Sequence, residues 1–85
     1  MAKVEIYTGM LCGYCSAAKR LLGQKGVEFT EIKVDGDPAK RQEMMTRTNG
    51  GRTVPQIFIN DLHIGGCDDL YDLERAGKLT TLLAA

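Results

Sequence analysis

The sequence predicts an α/β domain, a mixed four-stranded sheet flanked by helices in the order β-α-β-α-β-β-α. Three observations carry this reading. Four short segments are rich in β-forming residues, helical apolar spacing appears between them, and glycine-containing breaks interrupt the chain. Strands joined through a helix should run parallel, whereas a tight turn makes an antiparallel hairpin, so the sheet should be mixed. At 85 residues the chain has room for one domain, 1–85, with one modest core.

Lys3-Val4-Glu5-Ile6-Tyr7-Thr8 alternates polar and apolar side chains and reads as the first strand. After the break from Gly9 to Gly13, Tyr14 to Lys25 is helical, with Cys15, Ala18, Leu21 and Leu22 on one face and Gly26 as its stop. Val27 to Val34 is the second strand, and Asp35-Gly36 turns the chain. Asp37 is the expected N-cap of a second helix, with Pro38 at its first position, running to about Thr48. Met44 and Met45 fall on that helix, and one of them should fill core volume. Gln56 to Ile59 and Leu62 to Ile64 form a hairpin around Asn60-Asp61. Beyond Gly65-Gly66, Asp68 to Arg75 and Lys78 to Leu83 read as one or two short helices.

Eleven basic side chains balance eleven acidic ones. That balance leaves no net field to draw the chain to nucleic acid or an anionic membrane. No apolar run approaches the ~20 residues of a membrane span. The start Met1-Ala2-Lys3-Val4-Glu5 turns charged at once, so the expected location is cytoplasmic. The three cysteines are odd in number and two stand three positions apart, which suits reactivity or metal binding better than a disulfide scaffold.

Those two, in Cys12-Gly13-Tyr14-Cys15, lie where a strand gives way to a helix. Unpaired N–H groups and the helix dipole favour negative charge there, lowering a thiol pKa from its free value of about 8.5. Cys15, one turn later, comes within disulfide reach, so the pair can attack a disulfide and resolve the mixed product internally. The competing reading is a zinc site. Its further donors could only be Cys67 and His63, which lack a second paired spacing, so no metal is expected.

With these motifs in view the chain resembles the dithiol glutaredoxins, nearly end to end. Val4-Glu5-Ile6-Tyr7-Thr8, Cys12-Gly13-Tyr14-Cys15, Thr53-Val54-Pro55-Gln56-Ile57-Phe58-Ile59 and Gly65-Gly66-Cys67-Asp68-Asp69-Leu70 carry the resemblance, in the family's order and distances. It implies a thioredoxin fold with Pro55 cis and facing the cysteines, so that Val54 offers its main chain to a peptide-like substrate. It further implies an enzyme in which Cys12 is the nucleophile, Cys15 resolves, and glutathione is the co-substrate. Gly66, Cys67 and Asp68 would seat the γ-glutamyl end at a helix start, with Asp68 or Asp69 meeting its amine. Tyr14 and Thr53 would line the groove, and Cys67 would pack beside it without catalytic work. The implied partners are glutathionylated and disulfide-containing proteins, met by a monomer.

Two positions depart from the family. Gly9 stands where many members carry a lysine that holds the glycine carboxylate of glutathione; Arg47, or less favourably Arg52, is the expected replacement. Gly13 replaces a common proline, freeing φ at the helix start. It also resembles members that hold a [2Fe–2S] cluster between two subunits, which leaves open an alternative in which Cys12 and glutathione ligate iron in a dimer. Met10 and Leu11 should form an apolar rim beside Cys12, and His63, which belongs to no motif, should be a surface or edge residue of the hairpin.

Overall fold

The computed structural model describes residues 2–85; Met1, the first residue of the expected domain, lies outside the described residues. In chain order the elements are β1 (Val4–Thr8), α1 (Gly13–Gln24), β2 (Thr30–Lys33), α2 (Pro38–Arg47), β3 (Gln56–Ile59), β4 (Leu62–Gly65), α3 (Cys67–Arg75) and α4 (Leu79–Ala84). The sheet runs β2-β1-β3-β4. β1 pairs parallel with β2 and antiparallel with β3, and β4 completes the hairpin.

Of the one or two helices expected at the end of the chain, two form. Gly77 at φ +73° breaks the run, and the Lys78 N–H closes on the Leu73 carbonyl at 2.9 Å, a glycine-dependent helix stop. A similar stop shortens β2. With Gly26 at φ +74°, the Val27 N–H donates to Leu22 O at the end of α1, so Val27 cannot begin a strand. Val27 and Phe29 still pack on the core. Elsewhere local chemistry acts as read. Asp37 accepts the Lys40 N–H at 3.0 Å, and Asn60 and Asp61 both take positive φ, as a tight hairpin turn requires.

Alternation in β1 sends Val4 and Ile6 to one face of the sheet, where Ile57, Ile59, Leu22 and Leu70 close the main core under α1, α3 and α4. Tyr7, Phe58, Val34 and Met44 form a smaller core on the other face, roofed by α2. Each large apolar side chain buried this way is worth about 1.5–3 kcal/mol. No helix among the described residues is long and apolar enough to cross a membrane.

Register decides where the loops meet. Tyr7 stands opposite Gln56, and Ile57 opposite Gly65. The end of β1, the start of β3 and the end of β4 therefore share one end of the sheet, which brings the starts of α1 and α3 and the Val54-Pro55 segment together.

Candidate active site

Cys12 is the N-cap of α1. Its backbone is extended, its carbonyl accepts the Ser16 N–H at 3.1 Å, and its Sγ accepts the Cys15 N–H at 3.0 Å. A sulfur placed there takes the part that a serine or aspartate oxygen usually plays, and the helix terminus favours its negative form. No acidic residue lies in the first turn of α1. One turn on, Cys15 is buried at 2% exposure while Cys12 is half-buried; their Cα atoms are 5.2 Å apart and their sulfurs are joined. The more accessible sulfur is therefore the first to meet a substrate, and the enclosed one is within reach to displace it.

Leu11 precedes Cys12 with φ +53° and a fully exposed side chain, and Met10 is 77% exposed, so the expected apolar rim is present. The Met10 N–H donates to the Asp35 carboxylate. These residues border a cavity of about 650 Å³ that also contains Cys12, Cys15 and the Lys19–Glu31 pair. Glu31 accepts from Thr8 Oγ1 at 2.7 Å and from Lys19 Nζ at 3.0 Å, and these two bonds hold its carboxyl below the usual range.

The Val54–Pro55 bond is cis, and Val54 O lies 3.8 Å from Cys12 Sγ. The Val54 N–H has no hydrogen-bond partner among the described residues. A backbone edge with both groups open is suited to pairing with an extended peptide. Seven of the eight residues expected to meet glutathione, namely Tyr14, Thr53, Val54, Pro55, Gly66, Cys67 and Asp68, line one cavity of about 590 Å³.

Arg47, the eighth, does not line that cavity. Its guanidinium donates to Tyr7 OH and to Glu5 Oε1, each at 3.0 Å, and stacks 3.9 Å from the centre of the Phe58 ring. Burial works against its charge, but the bonds to Glu5 and Tyr7 outweigh that and raise its pKa. Arg47 thus ties α2 to the sheet and takes no part in the cavity wall. Arg52, beside Thr53, is exposed and has no ion pair among the described residues. At position 9, a Cβ would come within 3.2 Å of Val54 Cγ2 and 3.3 Å of Asp35 Oδ2, so the glycine lets the Val54 edge sit close to β1.

The start of α3 separates its two acids. Asp69 Oδ2 accepts the Gly66 N–H at 3.0 Å and so caps the helix. Gly65 has φ +116°, and a Cβ there would strike the Asp69 carboxylate, so this corner needs glycine. With the Gly66 N–H used, the groups open to a ligand are the N–H groups of Cys67 and Asp68. The Asp68 carboxylate is exposed and has no partner among the described residues. Cys67 is 8% exposed, and burial followed by the Asp68 charge pushes its thiol pKa up. Among the described residues no three His, Cys, Asp or Glu side chains gather as a metal site, so His63 and Cys67 do not join the active pair as the zinc alternative would need.

Two residues of the same cavity escaped the sequence reading. His63 Nε2 lies 2.7 Å from Gln56 Oε1, and its ring stacks on Phe58 with centroids 5.0 Å apart. The available signal was the strand period, which puts Gln56 and Phe58 on one face, and the hairpin register, which sets His63 opposite Phe58.

The Glutaredoxin family model matches residues 4–64. Glutaredoxin 3 of Escherichia coli K12 is 59% identical over 83 residues, covering 98% of this chain and 99% of that protein. The solution structure of glutaredoxin from Brucella melitensis superposes with a TM-score of 0.84 at 54% identity, covering 98% of this chain and 89% of that one. The crystal structure of a buckwheat glutaredoxin–glutathione complex gives a TM-score of 0.87 at 35% identity, covering 98% and 77%.

Proposed function

The chain belongs to the glutaredoxin family and is a thiol–disulfide oxidoreductase, and from that premise we propose that it reduces protein–glutathione mixed disulfides and protein disulfides with glutathione as the electron donor. The observation that carries the proposal is the position of Cys12 Sγ, an N-cap acceptor 3.0 Å from the Cys15 N–H and 3.8 Å from the Val54 carbonyl.

The Cys12 thiolate attacks the glutathionyl sulfur of a mixed disulfide. A bond forms between Cys12 and that sulfur, the old S–S bond breaks, and the protein sulfur leaves as a thiolate that takes a proton from water. The thiolate of a second glutathione attacks the glutathionyl sulfur on Cys12, yielding glutathione disulfide and restoring the Cys12 thiolate. With a protein disulfide, Cys12 forms a mixed disulfide with the substrate and Cys15 displaces the substrate sulfur. The resulting Cys12–Cys15 disulfide is reduced by two glutathiones.

Binding follows from complementarity. The Val54 edge pairs with the cysteinyl backbone of glutathione. The N–H groups of Cys67 and Asp68 take the γ-glutamyl carboxylate, and the Asp68 carboxylate takes the neighbouring ammonium. Tyr14 and Thr53 flank the tripeptide. Arg52 replaces Arg47 as the cation for the glycine carboxylate, because Arg47 is committed to Glu5 and Tyr7.

Turnover of a glutathionylated peptide tests this. Cys12→Ser is expected to lower the rate by at least about a thousand-fold, whereas Cys15→Ser retains it, since only the protein-disulfide route needs the second sulfur. A Cys12→Ser variant that keeps its rate sinks the proposal.

A further inference from the structure

Val54 can serve as a docking edge only if the short segment before it is held still, and that segment, from Asn49 to Pro55, belongs to no helix or strand. One end is secured at Thr48. Its Oγ1 donates to Met44 O and accepts the Gly51 N–H, both at 2.8 Å. A Cβ on Gly51 would approach that Oγ1 to 2.6 Å, so the turn is drawn in tightly. The other end is secured by Gln56, a buried polar side chain whose Nε2 donates to Thr53 O at 3.0 Å and reaches Thr53 Oγ1 at 3.3 Å.

An amide can hold a carbonyl only with its NH₂ side toward it. Rotated by half a turn, Gln56 would aim its own oxygen at Thr53 O, two acceptors face to face. The Thr53 carbonyl thus turns Oε1 the other way, toward His63 Nε2 at 2.7 Å, the second group that holds the amide. For this contact to be a hydrogen bond, Nε2 must carry a proton and donate. Both the Nε2–H tautomer and the imidazolium do so. The ring is located in turn by stacking on Phe58, whose ring also lies beneath the Arg47 guanidinium.

We propose that His63 is a positioning residue for the substrate edge: by donating to Gln56 it fixes the amide that holds the Thr53 carbonyl, and so keeps Val54 in register with the peptide backbone of the glutathionyl group. This rests on the reading of Val54 as the glutathione edge. His63 acts on binding and takes no part in the sulfur chemistry, because its only polar partner among the described residues is Gln56.

Two variants separate the donor from the bulk of the ring. His63→Leu keeps volume but removes the donor; His63→Gln places an Nε2 donor at similar reach. Steady-state kinetics with a glutathionylated peptide are expected to show KM raised about three- to tenfold for His63→Leu with kcat within twofold, and near-wild-type values for His63→Gln. In nitrogen-resolved NMR spectra, the Gln56 side-chain amide protons should lose their exchange protection in His63→Leu and keep it in His63→Gln. An unchanged KM in His63→Leu, a matching loss in both variants, or a fall in kcat alone overturns the brace. Wild-type protein that fails to turn over the peptide defeats the glutathione reading and the brace with it, whereas active wild type indistinguishable from His63→Leu defeats the brace alone.

Discussion

Cys12 and Cys67 both stand at the N-terminal end of a helix in the same small domain, yet only one is placed to act as a nucleophile. Cys12 is the N-cap of α1, half-buried, with Sγ accepting a backbone N–H and no acid in the first turn. Cys67 is the first residue of α3, almost enclosed, and followed by Asp68 and Asp69. Asp69 takes the Gly66 N–H, and Asp68 adds a negative charge beside the thiol. A helix start thus supplies amides and a favourable dipole, but these lower a thiol pKa only where sulfur reaches them and no carboxylate competes. At α3 the same amides are left for a ligand's carboxylate.

The comparison can be broken most forcefully by giving α1 the acid it lacks. Nothing lies within 4 Å of a Cβ built on Gly13, so Gly13→Asp introduces a carboxylate next to Cys12 without a clash. The new charge should raise the Cys12 pKa by about one unit, and alkylation rate against pH measures it. The same residue should stabilise the fold by about 0.3–1 kcal/mol through the dipole, read by urea denaturation. A more stable helix with a less acidic thiol would separate the two effects. An unmoved pKa would mean that the missing acid is not what distinguishes α1.

A smaller effect is expected at Cys67. Its folded-state pKa is raised by burial and by Asp68, so the unfolded chain releases that proton at lower pH than the native one. The neutral thiol's contribution is therefore complete below the unfolded pKa and is lost as pH rises through the folded value. Wild type should lose stability from about pH 9 upward relative to Cys67→Ala, with denaturation midpoints under reducing conditions as the check. Parallel pH profiles would mean that Cys67 feels no such burial.

Much of this arrangement was legible in the amino-acid order, because it depends on local chemistry. Asp37-Pro38 caps and starts α2, Asn60-Asp61 turns the hairpin, and the cysteine pair sits at a strand-to-helix junction. What escaped was set by partners distant in sequence. Arg47 looks like a free cation until Glu5 and Tyr7, some forty positions away, claim it. His63 looks idle until the hairpin register brings it to Gln56. Asp68 and Asp69 are equivalent on paper, and only the backbone path at Gly65-Gly66 makes one a cap and leaves the other open. β2 shortened for a local reason, since the stop after α1 takes up the Val27 N–H.

The most direct measurement is site-resolved alkylation of the fully reduced protein from pH 4 to 10, with each cysteine followed by mass spectrometry. The expected result is a Cys12 rate reaching half its maximum below about pH 7, while Cys67, its thiol pushed up by burial and by Asp68, reacts only at clearly higher pH. A Cys12 that remains protonated and sluggish at neutral pH, with a midpoint at or above about 8.5, or a Cys67 that reacts alongside it, would contradict the account.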